Sequence, residues 1–160
     1  MKRSSSIFAI AFVCLALAGS LVAENKAFVG TWKLNVEKSK FAAGKAPKSL
    51  TRTVTADGDT ATYKFDGVAA DGSAYTYGFA SKYDGKDSEV TGTGAPFGAD
   101  HIAIKQDNSH MVSVTLKKGD KTVATGSTTV SHDGKTTTVI LKGSDADGKP
   151  LKTETVYDKQ

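Results

Sequence analysis

The stretch DGDTATYKFDGVAADGSAYTYGFASKYDG, running from Asp57 to Gly85, decides the fold. Four Asp-Gly pairs interrupt it, at Asp57-Gly58, Asp66-Gly67, Asp71-Gly72 and Asp84-Gly85. An Asp-Gly pair supplies the positive φ angles that tight hairpin turns demand. The residues between the pairs alternate polar and apolar with a period of two, as in Thr62-Tyr63-Lys64-Phe65 and Ala74-Tyr75-Thr76-Tyr77, which is the pattern of a half-buried strand. Asp133-Gly134 and Asp147-Gly148 repeat the device further on.

Working outward, the same reading predicts strands over Phe28–Asn35, Ser49–Thr55, Thr60–Phe65, Ala74–Tyr83, Ser88–Thr91, His101–Gln106, Met111–Lys117, Lys121–Ser131, Thr136–Lys142 and Leu151–Asp158. Helical periodicity is nowhere sustained for the roughly 11 residues of an amphipathic window. The class is therefore all-β. Short strands joined by tight turns make an antiparallel meander, and a long meander escapes two adhesive edges by closing on itself. The expectation is an up-and-down β-barrel of about 8 to 10 strands. A two-sheet sandwich is the alternative, and it needs longer connections than most of those here. Val36–Lys48 and Gly92–Asp100 are the two long links; the first could cover one barrel end, and the second, with Pro96-Phe97, reads as a packed surface loop before it reads as a gate.

Of the 160 residues, the first 23 have their own character. Lys2 and Arg3 precede an apolar run from Ile7 to Val22 that ends at Ala23 before Glu24, the plan of a secretory signal peptide. The run is shorter than the ~20 residues of a spanning helix, and no cluster of Lys and Arg follows it. Residues 1–23 are expected to be removed, leaving residues 24–160 as one barrel domain in the periplasm or outside the cell with no membrane span. Cys14, the sole cysteine, lies in the apolar run without the small preceding residue of a lipid-modified cysteine. The processed chain then has no thiol and must hold together by burial alone. Setting Lys2 and Arg3 aside leaves 19 basic against 17 acidic residues, interspersed along the chain. That excludes the clustered basic face of a nucleic-acid binder.

Gly30-Thr31-Trp32, followed by Lys38-Ser39-Lys40-Phe41, Tyr83-Asp84-Gly85-Lys86, Val130-Ser131-His132-Asp133-Gly134-Lys135 and the ending Val156-Tyr157-Asp158-Lys159-Gln160, resembles the lipocalin-like family of small exported bacterial β-barrel proteins. The resemblance covers nearly all of the processed chain. It implies a barrel of the lipocalin or fatty-acid-binding type and carries no particular activity. It further implies a basic residue late in the barrel packing over Trp32, a part open to Lys142, Lys152 or Lys159.

Strand parity nominates the candidate binding residues. In Ser49–Thr55, Leu50, Arg52 and Val54 share one face and Thr51, Thr53 and Thr55 the other. If the apolar face is inside, Arg52, the only arginine after the leader, points into the barrel. An unpartnered inward guanidinium costs several kcal/mol, so it would call for water, an internal acid such as Glu89 or Glu154, or an anionic ligand. The alternative is an outward Arg52 over a Thr-lined interior. Trp32, Tyr63, Phe65, Tyr75, Tyr77 and Phe79, with Ile102, Ile104, Val112, Val114 and Leu116, form the expected inner wall of a ligand site; the competing expectation is a barrel that these side chains simply fill.

The three histidines, His101, His110 and His132, lack the spacing of a zinc site. Asp145-Ala146-Asp147-Gly148 imitates part of a calcium loop, but Gly143 stands where the first ligand belongs and Pro150 intrudes. No G-x-S-x-G elbow or phosphate-cradling loop is present. The expectation is a monomeric binding protein for a small hydrophobic or amphipathic ligand, anionic if Arg52 points inward, with no cofactor, metal or catalytic residue. The alternative is a non-enzymatic structural or interaction protein with a filled barrel.

Overall fold

The computed structural model describes residues 26–42, 45–144 and 147–160. The leader 1–23, Cys14 and the pair Asp145-Ala146 lie outside the described residues. After a 3₁₀ turn at Lys26–Phe28, the strands are β1 (Gly30–Lys40), β2 (Ser49–Asp57), β3 (Thr60–Val68), β4 (Ala74–Ser81), β5 (Asp84–Glu89), β6 (Thr91–Gly92), β7 (His101–Asn108), β8 (Met111–Lys118), β9 (Lys121–Val130), β10 (Thr136–Ser144) and β11 (Pro150–Lys159). They form one antiparallel sheet in the order β5-β7-β8-β9-β10-β11-β1-β2-β3-β4-β6, curled into a nearly closed barrel. Among the described residues no helix is long and apolar enough to cross a membrane.

Among the described residues the strand count is eleven where eight to ten were expected, and Val90 is the reason. The predicted strand Ser88–Thr91 divides there: β5 pairs with β7, from Asp84 opposite Lys105 to Glu89 opposite His101, while β6 pairs with β4 through Tyr77–Gly92 and Gly78–Thr91. The two ends of the sheet order are thus neighbours in the chain. One short crossing ties the edges together and leaves a slit between β4 and β5. Gly92, at φ 88°, makes this possible, because any Cβ there would strike the Thr76 carbonyl.

Asp66-Gly67 is not a turn. β3 runs through it to Val68, and Asp66 and Gly67 face Thr76 and Tyr75 of β4. The hairpin turn falls at Asp71-Gly72, where Gly72 has φ 96° and Asp71 accepts from the Ser73 N–H at 2.8 Å. Gly67 is required for a different reason: a Cβ there would collide with the Tyr75 ring. β1 also outruns its predicted end at Asn35, continuing to Lys40 past an irregularity in its pairing with β11. The Ser39 hydroxyl fills that break, donating to the Asn35 carbonyl at 2.6 Å and accepting from the Val156 N–H at 2.9 Å.

Inward residues of β2, β3, β4, β7 and β8 make one contiguous core with Phe28, Trp32 and Leu34 at the end that the 3₁₀ turn Lys26–Phe28 closes. Burial of the large apolar side chains contributes about 1.5–3 kcal/mol each, which is what a thiol-free domain relies on.

Candidate functional site

The inward face of β2 carries Leu50, Arg52 and Val54, all buried, as parity predicts. Arg52 is 2% exposed. Its guanidinium carbon lies 5.1 Å from the centroid of Trp32 on β1 and 4.8 Å from that of Tyr157 on β11. Both internal acids considered for it face elsewhere. Glu89 is exposed, and Glu154 projects outward between Lys40 and Lys152, at 3.8 and 4.0 Å. Parity explains Glu154, since its neighbours Thr153 and Thr155 are the ones that line the interior. Two buried Arg52 nitrogens, Nε and Nη2, meet no hydrogen-bond partner among the described residues. Burial presses the Arg52 pKa below the usual arginine value, opposed by the phenolic oxygens of Tyr157, Tyr63, Tyr77 and Tyr83.

Above Arg52 the barrel is hollow. A cavity of about 870 Å³ extends from Arg52 to rim residues that include Lys45, Pro47, Phe97, Lys118 and Leu151. Its volume places it within the range of small-molecule sites. One wall is aromatic: Tyr63 stacks on Phe79 at 4.7 Å and Phe65 on Tyr77 at 4.4 Å, each a cross-strand pair of β3 and β4. The facing wall is aliphatic, with Ile102 and Ile104 of β7, Val112, Val114 and Leu116 of β8 and Leu141 of β10. No Asp or Glu among the described residues lines it, so the charged lining is Arg52 at the bottom and Lys45 and Lys118 at the rim. Because Phe65 and Tyr77, like Tyr63 and Phe79, spend ring faces on each other, the aromatic wall contributes stacked rings in place of separate platforms.

The predicted residues Arg52, Tyr63, Phe65, Tyr75, Tyr77, Phe79, Ile102, Ile104, Val114 and Leu116 therefore converge on one space. Trp32 does not line it. It is fully buried at the closed end beneath Arg52, its indole N–H donating to the Phe28 carbonyl at 2.9 Å. The late basic residue over the indole is Lys159, with Nζ 5.0 Å from the ring centroid. Gly30 allows that approach, since a Cβ there would lie 2.8 Å from Lys159 Cε.

Sequence reasoning missed Tyr157, Tyr83 and the role of Phe97. Tyr157 was findable, because Leu151, Thr153, Thr155 and Tyr157 alternate along β11 and all face the cavity. Tyr83 was findable too, because it keeps the parity of Tyr75, Tyr77 and Phe79 in the predicted strand Ala74–Tyr83; the observed β4 stops at Ser81, and Tyr83 turns inward at φ 57° to bring its hydroxyl within 2.6 Å of that of Tyr63. Phe97, also at φ 57°, crosses the rim from the loop before β7 to rest against Gly143 of β10, where a Cβ would stand 2.8 Å from its ring.

No protein-family model matches the chain, and no curated protein does. Solved structures do. The zebrafish ileal bile acid-binding protein complexed with cholic acid is similar over 84% of this chain and 99% of its own, at 12% identity and a TM-score of 0.52. A redesigned β-barrel, mFAP1, bound to DFHBI, is similar over 84% and 97% at 14% identity and a TM-score of 0.47. A de novo designed fluorescence-activating β-barrel follows at 85% and 96%, 15% identity and 0.44. The likeness is one of fold: an all-β antiparallel barrel, as the sequence reading anticipated.

Proposed function

We propose that this barrel is a binding protein for a small amphipathic carboxylate, whose head group seats on Arg52 and whose apolar body lies between the aromatic and aliphatic walls. The observation that carries this reading is the pair of unpartnered donors, Nε and Nη2, on Arg52. In a guanidinium these two nitrogens share one edge, the side-on fork that a planar carboxylate fills with two parallel hydrogen bonds. The rings of Trp32 and Tyr157 lie against the guanidinium, so recognition falls to its edge. The zebrafish neighbour is complexed with cholic acid, an amphipathic carboxylate, which accords with this choice. The cavity of about 870 Å³ weighs against the filled-barrel alternative.

In this reading the protein is exported after loss of residues 1–23, acts as a monomer and holds its ligand without converting it. Export is tested by N-terminal sequencing of the protein recovered from outside the cytoplasm, with Glu24 expected first.

Binding is tested with dodecanoate, dodecyl sulfate below its micellar range and dodecanol. Ligand held only by the folded state raises the melting temperature. Dodecanoate is expected to bind at least tenfold more tightly than dodecanol, to perturb Trp32 emission through the neutralised Arg52, and to lose that advantage in Arg52→Met. Equal affinities for acid and alcohol, or no response to any of them, overturn the proposal.

A further inference from the structure

The closed end of the barrel carries a second feature, remote from the cavity. The β7–β8 turn holds His110 and the β9–β10 turn holds His132, and strand pairing sets these turns side by side. Met111 is opposite Thr129, and the Val130 N–H donates to the His110 carbonyl at 2.8 Å. Spacing along the chain concealed this, for 21 residues of hairpin separate two side chains whose ring centroids are 5.2 Å apart, tilted by 49°. The histidines expected not to converge thus do so in one pair, while His101 stands apart beside Asp100.

We infer that His110 and His132 form a two-imidazole site for a late first-row divalent cation, with Zn²⁺ as the best fit. Imidazole binds zinc at about 2.0–2.1 Å, which puts each ring centroid about 3.2 Å from the ion. Two rings at a tetrahedral angle then have centroids about 5.2 Å apart, against about 4.5 Å for the right angle of a square-planar ion. The observed spacing matches the tetrahedral value. Ser109 Oγ lies 2.9 Å from His110 Nδ1. That hydroxyl can accept the Nδ1 proton and leave Nε2 with the lone pair a metal needs, the usual role of a group behind a metal-bound histidine. Among the described residues no third His, Cys, Asp or Glu joins the pair. Water completes the coordination, so the ion is exchangeable and ties the two turns together without being required for folding.

The test is a Zn²⁺ titration of the purified full-length processed chain, read by melting temperature and by the histidine imidazole resonances. The expected result is a rise of about 2–5 °C at saturation, with shifts at His110 and His132 and none at His101. His132→Ala, an exposed turn position, should weaken Zn²⁺ at least tenfold, and His101→Ala should leave it unchanged. Mg²⁺ should do nothing. A Zn²⁺ response that survives His132→Ala, one shared equally by all three histidines, or unshifted imidazoles at saturating Zn²⁺ overturns the inference.

Discussion

The Arg52 guanidinium rests over the indole of Trp32 on the barrel's inner side, 5.1 Å from its centroid, while Lys159 Nζ lies 5.0 Å from the same ring. One buried aromatic residue thus serves two cations. Each such contact contributes about 0.5–2 kcal/mol, most where the cation is desolvated. For Arg52 this offsets only part of the several kcal/mol that an unpaired buried charge costs. The closed end is therefore built to keep a charge where folding alone would not put one.

Arg52→Met follows directly. The substitution removes the unpaired charge, keeps much of the side-chain volume and gives up two cation–π contacts. The balance favours the variant by about 1 kcal/mol in ligand-free protein. The urea midpoint should rise with the m-value unchanged, whereas a lower midpoint would mean that the aromatic contacts outweigh the desolvation.

Tyrosine ionisation gives a pH prediction. All five tyrosines are held above the usual phenol value, with burial the leading cause in each. Tyr63 and Tyr77 are displaced the furthest, and burial is joined at Tyr63 by its neighbour Tyr83 and at Tyr77 by Tyr157. A folded pKa above the unfolded one contributes stability that is fully present below the unfolded value, near pH 10, and is lost as pH rises through the folded pKa. Absorbance at about 295 nm should therefore show little phenolate at pH 10, where an unfolded chain is about half ionised. Ionisation should then arrive together with loss of β-sheet circular dichroism. A gradual titration centred on pH 10 in folded protein would contradict this.

The inner faces of β3 and β4 were legible because parity is a local property: Tyr63, Phe65, Tyr77 and Phe79 follow from alternation alone, whereas alternation put Arg52 on the face of Leu50 and Val54 and left open whether that face was the inner one. What alternation cannot report is which strand closes on which. The division at Val90 places neighbouring residues on opposite edges of the sheet, and nothing in Ser88–Thr91 announces it. The same limit hid the pairing of His110 with His132, which depends on the lengths of the two intervening strands, β8 and β9, matching across their hairpin. Asp66-Gly67 misled for another reason. Its composition is that of a turn, but the glycine is there to clear the Tyr75 ring. Trp32 was correctly placed on an inward face yet assigned to the wrong level of the barrel, because parity fixes the side of a strand and not the height at which a cavity begins.

The Tyr63–Tyr83 hydroxyl pair, at 2.6 Å and buried, ties β3 to the link between β4 and β5. Removing either hydroxyl strands the other, at about 1 kcal/mol or somewhat more, while removing both loses the bond without leaving an orphan. Tyr63→Phe and Tyr83→Phe should each lower stability by about 1 kcal/mol. The double variant should cost less than their sum, with a coupling of about 0.5–1 kcal/mol in a denaturation cycle. Strict additivity would mean that the hydroxyls are independently solvated.

Gly30 offers a cycle that separates two causes of strain. Its φ of 133° is one that side-chain-bearing residues rarely adopt, and a Cβ there would also meet Lys159 Cε at 2.8 Å. The backbone cost is of order 1–3 kcal/mol. The collision is with the far end of a flexible lysine, which can move aside for little more than its cation–π contact with Trp32, about 0.5–1 kcal/mol at a surface-connected site. Gly30→Ala should therefore lose about 2–3 kcal/mol and Lys159→Ala under 1 kcal/mol. The two should combine with a coupling no larger than the lost lysine contact. If Lys159→Ala instead rescued most of the Gly30→Ala defect, the glycine would be needed for the lysine's passage and not for the turn of the backbone into β1. Denaturation midpoints of the four proteins, compared at equal m-value, distinguish the two outcomes.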